Sequence, residues 1–290
     1  MAGGTYYVPE RSHWPVVGAV GLFCLGMGGS QLIQGNVNIG LGFFVPGSAI
    51  IVYMIYGWFK DVIMENRSGL HSRQMDRSYR WGMFWFIFSE VMFFGAFFGA
   101  LFYVRSYSIP ALGGAGTHSI THQLLWPDFQ GMWPLYLNPD NSEYQGPLNI
   151  LHAWGIPTLN TALLLTSALT LTWAHWALLK DNRKHIILGM SLTVLLGAVF
   201  LGCQVYEYHL ALTHDKLTLA SGVYGSTFYM LTGFHGMHVT VGAIMLSVIL
   251  YRIIKGDFSS KDHFGFEAAA WYWHFVDVVW LLLFVFVYIM

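Results

Sequence analysis

The stretch Phe264-Gly-Phe-Glu-Ala-Ala-Ala-Trp-Tyr-Trp-His-Phe-Val-Asp-Val-Val-Trp280 sets Glu267, His274 and Asp277 among large aromatics, in a run otherwise suited only to lipid. A water-soluble core has no evident use for that combination. In a bilayer, each such side chain must face a partner, a cavity or the membrane surface. The rest of the chain agrees: of its 290 residues 55% are hydrophobic and 10% charged, against about 25% charged in soluble domains. The charges are also clustered. Residues 12–59, 144–179 and 217–251 contain no Asp, Glu, Lys or Arg, and spans of roughly 20 apolar residues cross a bilayer as helices. The fold class is therefore all-α, a polytopic membrane protein.

Breaks at Gly, Asn, Pro and charge clusters predict seven transmembrane helices, near 15–34, 39–59, 81–104, 149–178, 186–208, 223–251 and 265–289. Lys and Arg placement tests that count. Arg11, Lys60, Arg67, Arg73, Arg77, Arg80, Lys180, Arg183, Lys184, Arg252, Lys255 and Lys261 share one side, and only Arg105 and Lys216 fall on the other. The positive-inside rule makes the N-terminus cytoplasmic and the C-terminus external. The chain divides into residues 1–60 (an N-terminal segment with two helices), a basic cytoplasmic loop 61–80, and a bundle 81–290 with an external loop 105–148. That loop is long for a connection, and either lies on its own bundle or packs over a neighbour. Residues 1–7 carry neither a charged n-region nor an Arg-rich amphipathic pattern, so no cleavable targeting segment is expected.

A net charge of −1 gives no basic excess for nucleic acid. Cys24 and Cys203 fall within apolar spans and read as packing residues. Thirteen histidines raise the question of haem or metal. His152 and His175 lie 23 residues apart, at opposite faces of the membrane. His235 and His238 share a face one turn apart, with no second pair to complete a site. His209 and His274 each stand alone in their spans. No Cys-x-x-Cys-His and no Cys/His zinc spacing occurs. The expectation is satisfied or interfacial histidines, and no cofactor or metal on this chain.

The carboxylates are more specific. Glu90 lies about ten residues into the third span, where a bare carboxylate costs roughly 2.5–3.5 kcal/mol. It is expected to be protonated or hydrogen-bonded, as a proton relay, as a lipid or helix contact, or as a neutral acid bonding a neighbouring helix; position alone favours the last. Asp277 sits mid-span with His274 one turn earlier, a spacing that suits a buried polar pair. Glu207 and Glu267 lie near span ends and read as interfacial. Gly95-Ala-Phe-Phe-Gly99 permits close helix approach and suggests that its face of the third span is buried in protein. At the cytoplasmic ends, Trp58 and Lys60 with Glu65 and His71 beyond, and Arg252 with Lys255, read as ordinary flanking charge or as a headgroup site.

Several motifs, in order and over nearly the whole chain, resemble subunit III of the haem–copper cytochrome c oxidases. They are Ile87-Phe-Ser-Glu-Val-Met-Phe-Phe94, Thr172-Trp-Ala-His175, Asp181-Asn-Arg-Lys-His185, Gly222-Val-Tyr-Gly-Ser-Thr-Phe228, Gly233-Phe-His-Gly-Met-His238 and His263 to Trp280. The resemblance implies seven helices, with the first two and the last five forming a V-shaped, phospholipid-holding cleft. It implies no haem or copper on this chain; those belong to the catalytic partner, subunit I, accompanied by subunit II. Implied roles are to stabilise the catalytic subunit, retain phospholipids and support proton uptake. Glu90 matches the family's carbodiimide-reactive acid, and Trp58, Glu65, His71, His238, Arg252 and Lys255 match positions near bound lipid. One departure matters: Thr5-Tyr-Tyr-Val-Pro-Glu-Arg-Ser-His13 holds a single histidine where some bacterial members have several. The external loop is longer than in mitochondrial members, which implies a bacterial plasma membrane rather than a mitochondrial inner membrane.

Other classes fit less well. A quinol oxidase subunit III often lacks the first two spans, which are present here. A retinal pump needs an intramembrane Lys, and none occurs. A free-standing proton-coupled transporter would use Glu90 and Asp277, but shows neither repeat nor substrate cavity in the sequence.

Overall fold

The computed structural model describes residues 12–290; the readings made above on residues 1–11 lie outside the described residues. Among the described residues there is no strand, and seven helices are long and apolar enough to span a membrane. They are α1 (Trp14–Ile33), α2 (Val37–Arg67), α3 (Arg73–Tyr103), α4 (Ile156–Leu179), α5 (Arg183–Thr213), α6 (Val223–Lys255) and α7 (Phe264–Leu283), the last continuing as a π-helical stretch, Phe284–Ile289.

Several boundaries differ from expectation. The fourth span begins at Ile156 rather than near 149, because Pro157 sits in its first turn and Gly155 precedes it at φ +145°. Proline suits a helix start but disfavours helix in the residue before it, so residues 149–155, though mostly apolar, stay irregular. The third span begins earlier than the hydropathy suggests. Helix α2 continues to Arg67 and α3 starts at Arg73, leaving residues 68–72 as the turn. Hydropathy ends at the membrane surface, but the helical hydrogen-bond ladder need not. The Arg80 Nε to Asp76 Oδ2 pair at 2.9 Å, one turn apart, supports that polar extension.

The chain forms two compact units, divided after Gly82. In the first, α1 and α2 make an antiparallel hairpin through small residues. A methyl group on Gly28 would stand 2.5 Å from the backbone nitrogen of Phe44, so the two helices meet nearly backbone to backbone. Trp14 covers Gly57 and donates its indole N–H to Asp61 Oδ2 at 2.8 Å, which closes the end of the hairpin away from its turn.

The second unit, Met83–Met290, is organised around α7. Trp273 is fully buried, and its ring lies over Gly197 of α5 and Gly242 of α6. Its N–H donates to Ser167 Oγ of α4 at 2.9 Å, and Trp280 does the same to Thr161 Oγ1 at 2.9 Å. One indole thus locks three neighbouring helices. Burying it without a partner for the N–H would cost about 1–3 kcal/mol. Between α4 and α5, Thr170 and Thr193 share a hydroxyl hydrogen bond at 2.8 Å.

The external segment packs on its own bundle. Ile109, Phe129 and Leu135 join the core, and the Trp133 ring meets Tyr224 edge-on. The backbone N–H of Leu148 donates to the Asp215 carbonyl at 2.7 Å, and Asn149 donates to the Asp215 carboxylate at 3.1 Å. At the opposite end of the bundle, Arg183 donates to the carbonyls of Ile253 and Ile254. It thereby caps α6 just before Gly256 turns the chain at φ +87°. A residue counted above only as flanking charge has a specific job in holding two turns together.

Candidate functional site

The centre of interest is where α3 meets α6. Glu90 Oε2 lies 2.9 Å from His238 Nε2, and His238 Nδ1 lies 2.6 Å from the Phe234 carbonyl. A carbonyl only accepts, so Nδ1 carries a hydrogen. One more proton must then lie between Nε2 and Oε2, either as a neutral acid bonded to neutral imidazole or as carboxylate against imidazolium. Both forms are neutral overall. That removes most of the penalty for an isolated carboxylate at this depth. Phe94, Phe93, Tyr272 and Phe275 surround the imidazole, with ring centroids 5.0–6.5 Å away. Of the readings offered for Glu90, the structure places the contact to a neighbouring helix.

The remaining predicted residues fall as follows. Asp277 is buried, but His274 is 41% exposed at its side chain, and Nδ1 to Oδ2 is 3.6 Å. That is too long for a hydrogen bond. The two share a face, but the pair is buried at one end only. In the first unit, Trp58 is exposed on α2 and stacks on Phe59, while Glu65 Oε2 lies 3.7 Å from His71 Nε2, which also meets the Tyr79 hydroxyl at 3.4 Å. In the second unit, Arg252 Nε bonds Asp257 Oδ2 at 3.0 Å with its guanidinium 4.5 Å over the Phe258 ring. Lys255 is exposed beside Tyr251. His238 is occupied at both nitrogens, and Arg252 at Nε.

Two expectations need correction. Glu207 is not interfacial. It is buried in α5 beside Gln204, whose amide lies 3.4 Å from it and 3.5 Å from Asn160 of α4. Its distance from the helix end misled because α5 runs on to Thr213. The Gly95 and Gly99 face is not packed against this chain: a methyl group added to either meets nothing within 4 Å among the described residues. At 100° per residue these glycines lie on the far side of α3 from Glu90.

Besides the His238 partner of Glu90, a second convergence was out of reach of the sequence. Glu267 Oε1 lies 3.0 Å from His263 Nε2, one turn earlier, and His175 comes in from the end of α4. The i,i+4 spacing of His263 and Glu267 was visible in the sequence. The arrival of His175 was not.

Comparison with known proteins now settles the kinship. The sequence model of the family described as "Cytochrome c oxidase subunit III" matches residues 4–120 and 144–290. This chain belongs to that family. Similar subunit III sequences occur in Prototheca wickerhamii (40% identical over 98% of this chain and 96% of the relative), Drosophila yakuba (40%, 98% and 95%) and Sus scrofa (39%, 98% and 96%); each is named "Cytochrome c oxidase subunit 3". The chain is thus a multi-pass membrane subunit of a respiratory oxidase complex, itself an oxidoreductase. Within the subunit III frame, residues 121–143 stand outside the family match. They carry Trp126, Phe129, Trp133 and Leu135, the same side chains that fasten the external segment to the bundle.

Proposed function

We propose that this chain is a non-redox accessory subunit of a proton-pumping terminal cytochrome c oxidase, docked on the catalytic haem–copper subunit I together with subunit II. Its own contribution is packing, phospholipid retention and support of proton uptake, with haem and copper held by the partners. The observation that carries the reading is the Glu90–His238 pair. A carboxyl and an imidazole share one proton inside a helix bundle. Such a pair stores and repositions a proton without creating net charge.

Two further features support partnership. Gly95 and Gly99 present a small-residue face on α3 that no described residue of the second unit covers, which suits close approach by another helix. At the cytoplasmic ends, Trp58 with Glu65 and His71, and separately Arg252 and Lys255 with Tyr251 and Phe258, set aromatic rings beside polar or cationic groups at headgroup depth, while His238 lies deeper on α6 beside Glu90. We assign these to phospholipid contact. The long external loop, with residues 121–143 beyond the family match, favours a bacterial plasma membrane.

The test is lipid analysis and turnover of the complex with Arg252→Ala. Loss of bound phospholipid and a shortened working life, at unchanged initial rate, is expected. An immediate loss of rate with lipid content intact would contradict the lipid role.

A further inference from the structure

The geometry points to a divalent transition-metal site, best suited to zinc, formed by His175, His263 and Glu267 at the cytoplasmic end of α4 and the start of α7. The three ligand atoms lie within 4.8 Å of one another, the one such trio of His, Cys, Asp or Glu among the described residues. Two imidazole nitrogens and one carboxylate oxygen are a common zinc donor set, with bond lengths of about 2.0–2.2 Å and a fourth position open to water.

The support lies in how each ligand is held. His263 Nδ1 donates to the Ser259 carbonyl at 3.0 Å, which turns the Nε2 lone pair toward Glu267 Oε1, 3.0 Å away. Metal-binding histidines are commonly oriented by such a donation to a carbonyl. His175 Nε2 is buried and has no hydrogen-bond partner. Its ring lies 5.8 Å from that of His263 and 5.4 Å from Phe266, and an imidazole nitrogen kept from water without a partner is costly unless something fills the place. All three residues are half-buried. A cation would therefore displace the proton between His263 and Glu267, releasing it to water, and would tie the end of one helix to the beginning of another. This inference is independent of the lipid and proton-uptake reading, and it revises the expectation of a metal-free chain. The three positions are 88 and 4 residues apart, so no local spacing motif announces them.

The experiment is zinc titration of the purified, chelator-treated complex, with bound metal counted by elemental analysis. Parallel complexes carry His175→Ala, His263→Gln, Glu267→Gln or the nearby exposed control His185→Ala. About one zinc per complex should be lost in each of the three ligand variants and retained in the control. X-ray absorption at the zinc edge should lose an imidazole contribution in His263→Gln. Equal zinc uptake by the unaltered complex and by Glu267→Gln and His263→Gln, both shape-conserving changes, would overturn the assignment. If His175→Ala fails to assemble, those two variants decide the matter.

Discussion

Glu90 and His238 share a single proton across 2.9 Å, because His238 has already committed its other nitrogen to the Phe234 carbonyl. Backbone geometry one turn up α6 therefore fixes what a carboxyl on α3 can do. The acid is held in a neutral pair by a helix that it also helps to position.

Glu90→Gln should keep the contact, since an amide N–H can donate to His238 Nε2, while removing the shared ionisable proton. The complex is expected to assemble with near-normal thermal stability and to lose its carboxyl infrared band at this site. Glu90→Ala should instead destabilise the subunit by about 1–3 kcal/mol, leaving His238 Nε2 without a partner. Equal stability of the two variants would contradict the pairing.

The Trp273 slot makes a separate prediction. A methyl group on Gly242 would stand 2.9 Å from the indole, which Gly197 and Ser167 already confine. Gly242→Ala should cost about 1–3 kcal/mol by overpacking. Gly95→Ala, with nothing nearby, should leave the subunit's stability unchanged or slightly raised. Thermal unfolding in detergent distinguishes the two.

Partner contact is tested at the same face. Gly95→Leu should leave the helical content of the subunit intact and reduce the fraction that copurifies with the catalytic subunit. Undiminished copurification would place the partner on another surface.

Arg183 offers a local test of the cytoplasmic turns. Arg183→Gln removes the guanidinium from the Ile253 and Ile254 carbonyls at the end of α6, and should cost about 1–2 kcal/mol. Faster hydrogen exchange confined to residues around Gly256 is expected; unchanged protection there would dismiss the capping role.

Charge-free windows and the clustering of Lys and Arg were enough to count the spans, because lipid penalises charge regardless of tertiary detail. Pro157 also marked the true start of α4, but the mostly apolar residues 149–155 masked it. Helical extensions past the membrane, as in α2 to Arg67, escape any hydropathy criterion. Depth was misjudged for Glu207, since distance from a span end measures burial only if the helix stops where hydropathy does. Gly95 and Gly99 showed that close packing was permitted without showing whose helix uses it. The meeting of Glu90 with His238, 148 residues apart, and of His175 with His263 and Glu267, is set by which helices are neighbours. Periodicity within one helix carries no record of that.

We propose that electron chemistry belongs to a partner while this chain supplies a bound, proton-sharing scaffold. The most direct measurement is to purify the native assembly through a tag on this chain, then take its optical spectrum and intact mass before and after separating the subunit. Haem absorbance and additional polypeptides are expected in the assembly, with no Soret band from the separated subunit. A lone, haem-free polypeptide that survives mild detergent in a functional state, or a Soret band that stays with the separated chain, would contradict it.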